Sequence, residues 1–63
     1  RTGIVTLSSG TLNLRSLPTT DAAVLAQLPN GATVTMLGQF DEWYTVEYDG
    51  LHGFASSRYI TVL

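Results

Sequence analysis

Cysteine and lysine are absent from the 63-residue chain, and methionine, tryptophan and histidine occur once each. Without cysteine there is no disulfide framework and no thiolate metal site, and the redox compartment is left open. The only basic side chains besides His52 are Arg1, Arg15 and Arg58, set against five carboxylates for a net charge of −2 and a pI near 4.8. Nucleic-acid binding draws on a basic patch that releases condensed counterions, and three scattered arginines do not build one. A polybasic membrane anchor is excluded on the same ground. The longest apolar run, Ala22 to Ala26, falls far short of the roughly 20 residues that cross a bilayer as a helix. No charged segment leads into an apolar one as in a secretory signal. A chain that starts at Arg1 rather than at a methionine reads as a domain cut from a longer protein.

What is present is the composition of a folded globule. Apolar residues make up 44% against 13% charged, the reverse of the balance that keeps chains disordered. The length allows a single domain, and at this size only about 60% of the unfolded chain's surface can be buried. Stability is therefore expected to be marginal.

Turn residues punctuate the chain at short intervals. Ile4 to Leu7 is apolar and β-branched, and Ser8-Ser9-Gly10 breaks it. Leu12 to Arg15 alternates apolar and polar, the period of a half-buried strand. Ser16 to Asp21 is polar and holds Pro18. In Ala22 to Leu28, residues Val24, Ala26 and Leu28 share one parity; the leucines at 25 and 28 also allow a helix over Thr20 to Leu28. Pro29-Asn30-Gly31 is a turn, since Pro presets φ while Asn and Gly tolerate positive φ. Thr33 to Leu37 places Val34 and Met36 on one face, and Gly38 to Glu42 reads as a polar turn. Trp43 to Tyr48 is aromatic and β-branched. Asp49-Gly50 joins it to Leu51–Ala55, the strongest short-range hairpin signal in the sequence. Ser56 to Arg58 reads as a short helical turn before a last strand, Tyr59 to Val62. Five to seven short strands so densely punctuated imply an all-β class and a small, nearly closed barrel.

Four blocks resemble bacterial SH3-like domains. Leu12 to Pro18 is similar to the "LNVRSGPS" that opens them, and Ala26 to Val34 to their "G-x-L-x-x-G-x-x-V". Trp43 to Gly50 is similar to "WYKVxYxG", and Gly53 to Ile60 to the closing "GYVxSxYL". The blocks keep order and spacing over nearly all of residues 1–63. Leu17 stands where the family usually has Gly, and Ala26 where Gly is common. The resemblance implies a strongly bent barrel with a short 3-10 turn before its last strand. It also implies an extracellular, periplasmic or cell-envelope setting, where such domains accompany wall hydrolases. The partner it implies is peptidoglycan or a peptide, or a neighbouring domain of the same parent protein.

The residues themselves argue against catalysis. Nucleophilic chemistry needs a nucleophile, a base and an orienting group that converge; His52 is the one imidazole, on a strand beside Gly53, with Asp49 the nearest carboxylate in sequence. It reads as a surface histidine. No cofactor and no metal site are expected. Binding has more support. Strand parity separates Tyr44, Val46 and Tyr48 from Trp43, Thr45 and Glu47, and Val46 claims the core for its own set. Trp43 is then either the cap of an open barrel end or, beside Asp41 and Glu42, a flat platform for a sugar or peptide. Tyr59 is either a core tyrosine or a groove residue. The closing segment carries Ser56 and Arg58 where polyproline-reading SH3 domains have Pro and Asn, which argues against that ligand class. Asn13 alternates with Leu12 and Leu14 and points outward or bonds a loop. Arg15 is expected to clamp Asp21 or Glu47, with a ligand carboxylate as the alternative. Gly31 and Gly50 are expected at positive φ.

Overall fold

The computed structural model describes all 63 residues. They form β1 (Thr2–Val5), β2 (Thr11–Arg15), β3 (Val24–Pro29), β4 (Thr33–Phe40), β5 (Trp43–Tyr48), β6 (Leu51–Ser56), a 3-10 turn η1 (Ser57–Tyr59) and β7 (Ile60–Val62). The strands make one antiparallel sheet in the order β3-β2-β6-β5-β4-β1-β7. Laid flat, six inter-strand gaps of about 4.8 Å would set the outer strands about 29 Å apart. The chain measures only 24 × 24 × 22 Å, so the sheet curls around its own interior. Just past the end of β3, the Gly31 N–H donates to the Val5 carbonyl oxygen at 2.8 Å, which brings the β3 end of the sheet against β1, the neighbour of β7. The fold is all-β, with a 3-10 turn ahead of the last strand.

Period-2 alternation fills the interior. Each strand sends one or two apolar side chains inward: Val5, Leu12, Leu14, Leu28, Val34, Val46, Ala55 and Ile60, with Leu14, Leu28, Val46 and Ala55 fully buried. Tyr44 and Tyr48 pack against this cluster, as their parity with Val46 requires. Only ten of the 63 residues are buried, a core that carries about 3–5 kcal/mol of stability at this chain length.

The β5–β6 hairpin is regular. Its six cross-strand pairs run without a break from Tyr48↔Leu51 to Trp43↔Ser56. Asp49 and Gly50 turn the chain with φ of +52° and +80°, the double positive φ of a two-residue type I′ turn. Gly31 also has positive φ, +88°. Three residues beyond Gly50, Gly53 lies where β6 passes β2; a Cβ there would sit 2.7 Å from the Arg15 carbonyl oxygen and 2.9 Å from Leu14 Cγ.

Elsewhere the strands depart from the sequence reading. The polar turn expected over Gly38 to Glu42 contracts to Asp41-Glu42, because β4 runs on to Phe40. A register shift between Met36 and Gly38 makes this possible: two residues, Leu37 and Gly38, take the space of one opposite β5. A second shift lies between Leu14 and Arg15, where β3 has Ala26 and then Val24 as partners, leaving Leu25 over. Each bulge reverses parity beyond it, so Val24 does not share the inward face of Ala26 and Leu28 but is 46% exposed. The helical alternative over Thr20 to Leu28 is replaced by β3. The first strand ends at Val5 rather than Leu7, since the Leu7 N–H donates to the Asn30 side-chain carbonyl oxygen at 2.9 Å and not to a ladder.

Candidate functional site

Residues paired across an antiparallel ladder share a face of the sheet, which allows the outer surface to be built row by row. Phe40, Trp43 and Ser56 form one row across β4, β5 and β6, and Thr45, Phe54 and Arg15 form the next across β5, β6 and β2. Phe40 reaches this face only because of the bulge at Leu37. By sequence parity it belongs with Val34 and Met36 on the inside; after the bulge it lies beside Trp43, 57% exposed. These two rows therefore carry three aromatic side chains on the outer face, Phe40, Trp43 and Phe54.

Next to these rows a cleft of about 390 Å3 opens between β2 and the end of β6. Three outward positions of β2 line one side, Thr11, Asn13 and Arg15. Glu42 and Trp43, where the chain enters β5, line another. The third side is Ser56, Arg58 and Tyr59, and Thr20 and Leu12 complete the lining. The third side depends on η1. Ser56 has extended backbone (φ −62°, ψ 129°), and its hydroxyl oxygen accepts from the Arg58 N–H at 3.3 Å. This N-cap arrangement turns the chain so that two consecutive side chains, Arg58 and Tyr59, both border the cleft.

Five of the six residues singled out in the sequence thus surround one concavity: Asn13, Arg15, Glu42, Trp43 and Tyr59. Trp43 is half-buried and Tyr59 is 40% exposed, so neither is a core residue. Asp41 does not line the concavity and borders instead an adjoining hollow with Pro18, Glu42 and Trp43. The clamp expected from Arg15 to Asp21 or Glu47 is corrected in its partner. Arg15 Nη1 donates to the Ala22 carbonyl oxygen at 3.1 Å, because the polar stretch after β2 folds back and Ser16 N bonds Ala23 O. Glu47 is occupied elsewhere: its Oε1 lies 3.6 Å from His52 Nε2, with both side chains solvent-exposed.

Sequence reasoning did not place Thr11, Thr20, Ser56 or Arg58 in a site. For Arg58 one signal was available, its position beside Tyr59 in a helical turn. Its guanidinium has no carboxylate and no carbonyl partner, since the hydrogen bond recorded for this residue is made by its backbone N–H. No three His, Cys, Asp or Glu side chains gather closely enough to hold a metal ion. What the cleft offers is an indole face, a phenol, two guanidinium groups, hydroxyls and an amide: groups that hold a ligand by stacking and hydrogen bonds.

Comparison with known proteins adds two findings. A family model described as the bacterial SH3 domain matches residues 10–61. Over 59 residues the chain is 37% identical to the Bacillus subtilis (strain 168) protein named "Putative N-acetylmuramoyl-L-alanine amidase YrvJ". That match covers 94% of this chain and 11% of the relative, so the chain corresponds to a small part of that protein's length.

Proposed function

Because the chain belongs to the bacterial SH3 domain family, we propose that it is a non-catalytic module that holds its parent protein on the bacterial cell wall by gripping peptidoglycan peptide or glycan in the cleft beside Trp43. On this reading the parent is a longer secreted or envelope protein, and the domain works outside the cytoplasm. The name of the B. subtilis relative supports the wall as the setting. The observation that carries the reading is the convergence of Trp43, Tyr59, Asn13 and Arg15 on one concavity from three separate parts of the chain. A partly buried indole at the rim of a cleft gives a flat apolar surface with one N–H donor at its edge, which suits a sugar face or a peptide plane.

The test is co-sedimentation with insoluble peptidoglycan sacculi. Wild type is expected in the pellet, and Trp43→Ala in the supernatant with affinity lowered about 30-fold, the effect of removing a central aromatic anchor worth about 2 kcal/mol. Circular dichroism of the variant checks that the fold survives. Failure of wild type itself to pellet overturns the reading.

A second reading has its own observation. On another side of the barrel a hollow of about 430 Å3 is lined by Arg1, Met36, Leu37, Gly38, Gln39, Tyr44 and Val62, and Leu37 there is 49% exposed. Such a surface suits packing against a neighbouring domain of the parent protein. This reading predicts that the isolated domain binds no sacculi, while its removal shifts the parent's melting temperature.

A further inference from the structure

The charges of the chain are unevenly placed. Arg15 and Arg58 against Glu42 leave the cleft with one net positive charge. The residues outside it, Arg1 against Asp21, Asp41, Glu47 and Asp49, carry three net negative ones. Two of the three arginines therefore border a single concavity on an otherwise acidic surface. Neither has a carboxylate partner. Arg15 uses Nη1 on the Ala22 carbonyl oxygen and keeps its remaining donors, while Arg58 keeps all five. A guanidinium presents donors in a planar fork that matches a carboxylate, and such charge-assisted bonds are about twice as strong as neutral ones.

We infer that the cleft recognises a free carboxylate, held by Arg58 with support from Arg15, while the apolar part of the same ligand lies on Trp43. Glu42 sits on the same rim and opposes the anion, so it limits the affinity. The inference rests on the wall-binding reading for the source of the carboxylate, a peptide end or an acidic sugar substituent in the wall. The chemistry of recognition is independent of that source. A neutral glycan stretch or an amidated peptide satisfies Trp43 but offers the guanidinium groups only neutral oxygen acceptors, without the charge assistance of a carboxylate.

Two experiments separate the inference from the reading beneath it. In the first, acetyl-alanyl-alanine and its C-terminal amide are titrated into the 15N-labelled domain, following the Trp43 indole N–H and the Arg58 guanidinium resonances. The acid is expected to bind at least tenfold more tightly than the amide. Arg58→Gln, at an exposed position outside the core, is expected to weaken the acid several times more than the amide, so that the preference for the acid is lost. Glu42→Gln is expected to tighten the acid two- to threefold and not the amide, a change that a merely structural role for Glu42 does not produce. Equal binding of acid and amide, or no response to Arg58→Gln, overturns the inference. Inorganic phosphate that displaces the acid at equal concentration also overturns it, since the cleft is then a general anion site.

In the second, sacculi whose carboxyl groups have been converted to amides are compared with untreated ones. Weaker pelleting with the amidated wall supports the inference. Equal pelleting rejects it and leaves wall binding standing. Absence of pelleting with either preparation rejects wall binding, and the peptide titration then decides the carboxylate on its own.

Discussion

The β4–β5 and β5–β6 hairpins share a strand and both turn through two residues, yet they are built differently. The β5–β6 ladder is unbroken over six pairs and closes through Asp49-Gly50 with both residues at positive φ. The β4–β5 ladder is broken at Leu37, and its turn is made by Asp41-Glu42 with Asp41 at φ +53°. Both turns thus place an aspartate at positive φ, and they differ at the second residue: Gly50 continues in the left-handed region, which glycine enters without steric cost, while Glu42 does not. The regular hairpin delivers Val46 and Ala55 to the core. The irregular one delivers Phe40 and Glu42 to the surface, beside Trp43 of the shared strand. In a barrel with ten buried residues, the uninterrupted ladder feeds the core while the interrupted one re-aims side chains towards solvent.

Three substitutions probe that division. Gly53→Ala, in the regular hairpin, is expected to have the largest effect on stability. Its Cβ would meet the Arg15 backbone oxygen at 2.7 Å, and a clash against backbone costs about 2 kcal/mol. For a chain this short that lowers the melting temperature by roughly 10 °C; a melt within 2 °C of wild type would show that β2 and β6 are not held this closely. Gly50→Val comes next. At φ +80° a β-branched residue is strained by about 1–2 kcal/mol, and a thermal melt indistinguishable from wild type would remove the type I′ assignment. Phe40→Ser, in the irregular hairpin, is expected to change stability least, by no more than about 0.5 kcal/mol. The same variant should bind sacculi several-fold more weakly. If instead it melts well below wild type, Phe40 supports the barrel, and the contrast between the two hairpins is lost.

The same contrast explains what could be read from the sequence. Asp49-Gly50 between two aromatic and β-branched runs specifies its own hairpin, because turn type and register are fixed by adjacent residues. Val34, Val46, Leu12 and Leu14 announced the core by simple alternation. A bulge has no such local signature. Leu37 and Leu25 are ordinary strand residues in composition, and only the partner strand determines that each is surplus. Parity therefore misplaced Val24 and gave no account of Phe40. The cleft was legible residue by residue for Trp43, Tyr59, Asn13 and Arg15, but Arg58 joins them through a three-residue turn that brings distant segments together. The partner of Arg15 was missed for a related reason. A carbonyl oxygen is available at every residue, so a side-chain inventory that lists only carboxylates overlooks the Ala22 carbonyl.

Strands β1 and β7 lie side by side, with Gly3 opposite Val62 and Val5 opposite Ile60, and the two ends meet where Leu63 N bonds Thr2 O at 2.9 Å. Tension applied between residues 1 and 63 therefore acts across this pair rather than along it. The bonds are loaded one after another from the open end, as in a zipper, instead of sharing the force in shear. A module tethered at both ends in this way yields to a modest steady pull by peeling β7 from β1. The cleft loses its support early in that process, since β7 follows directly from the turn that carries Arg58 and Tyr59. Mechanical load and the shape of the cleft are thus coupled through three residues of backbone.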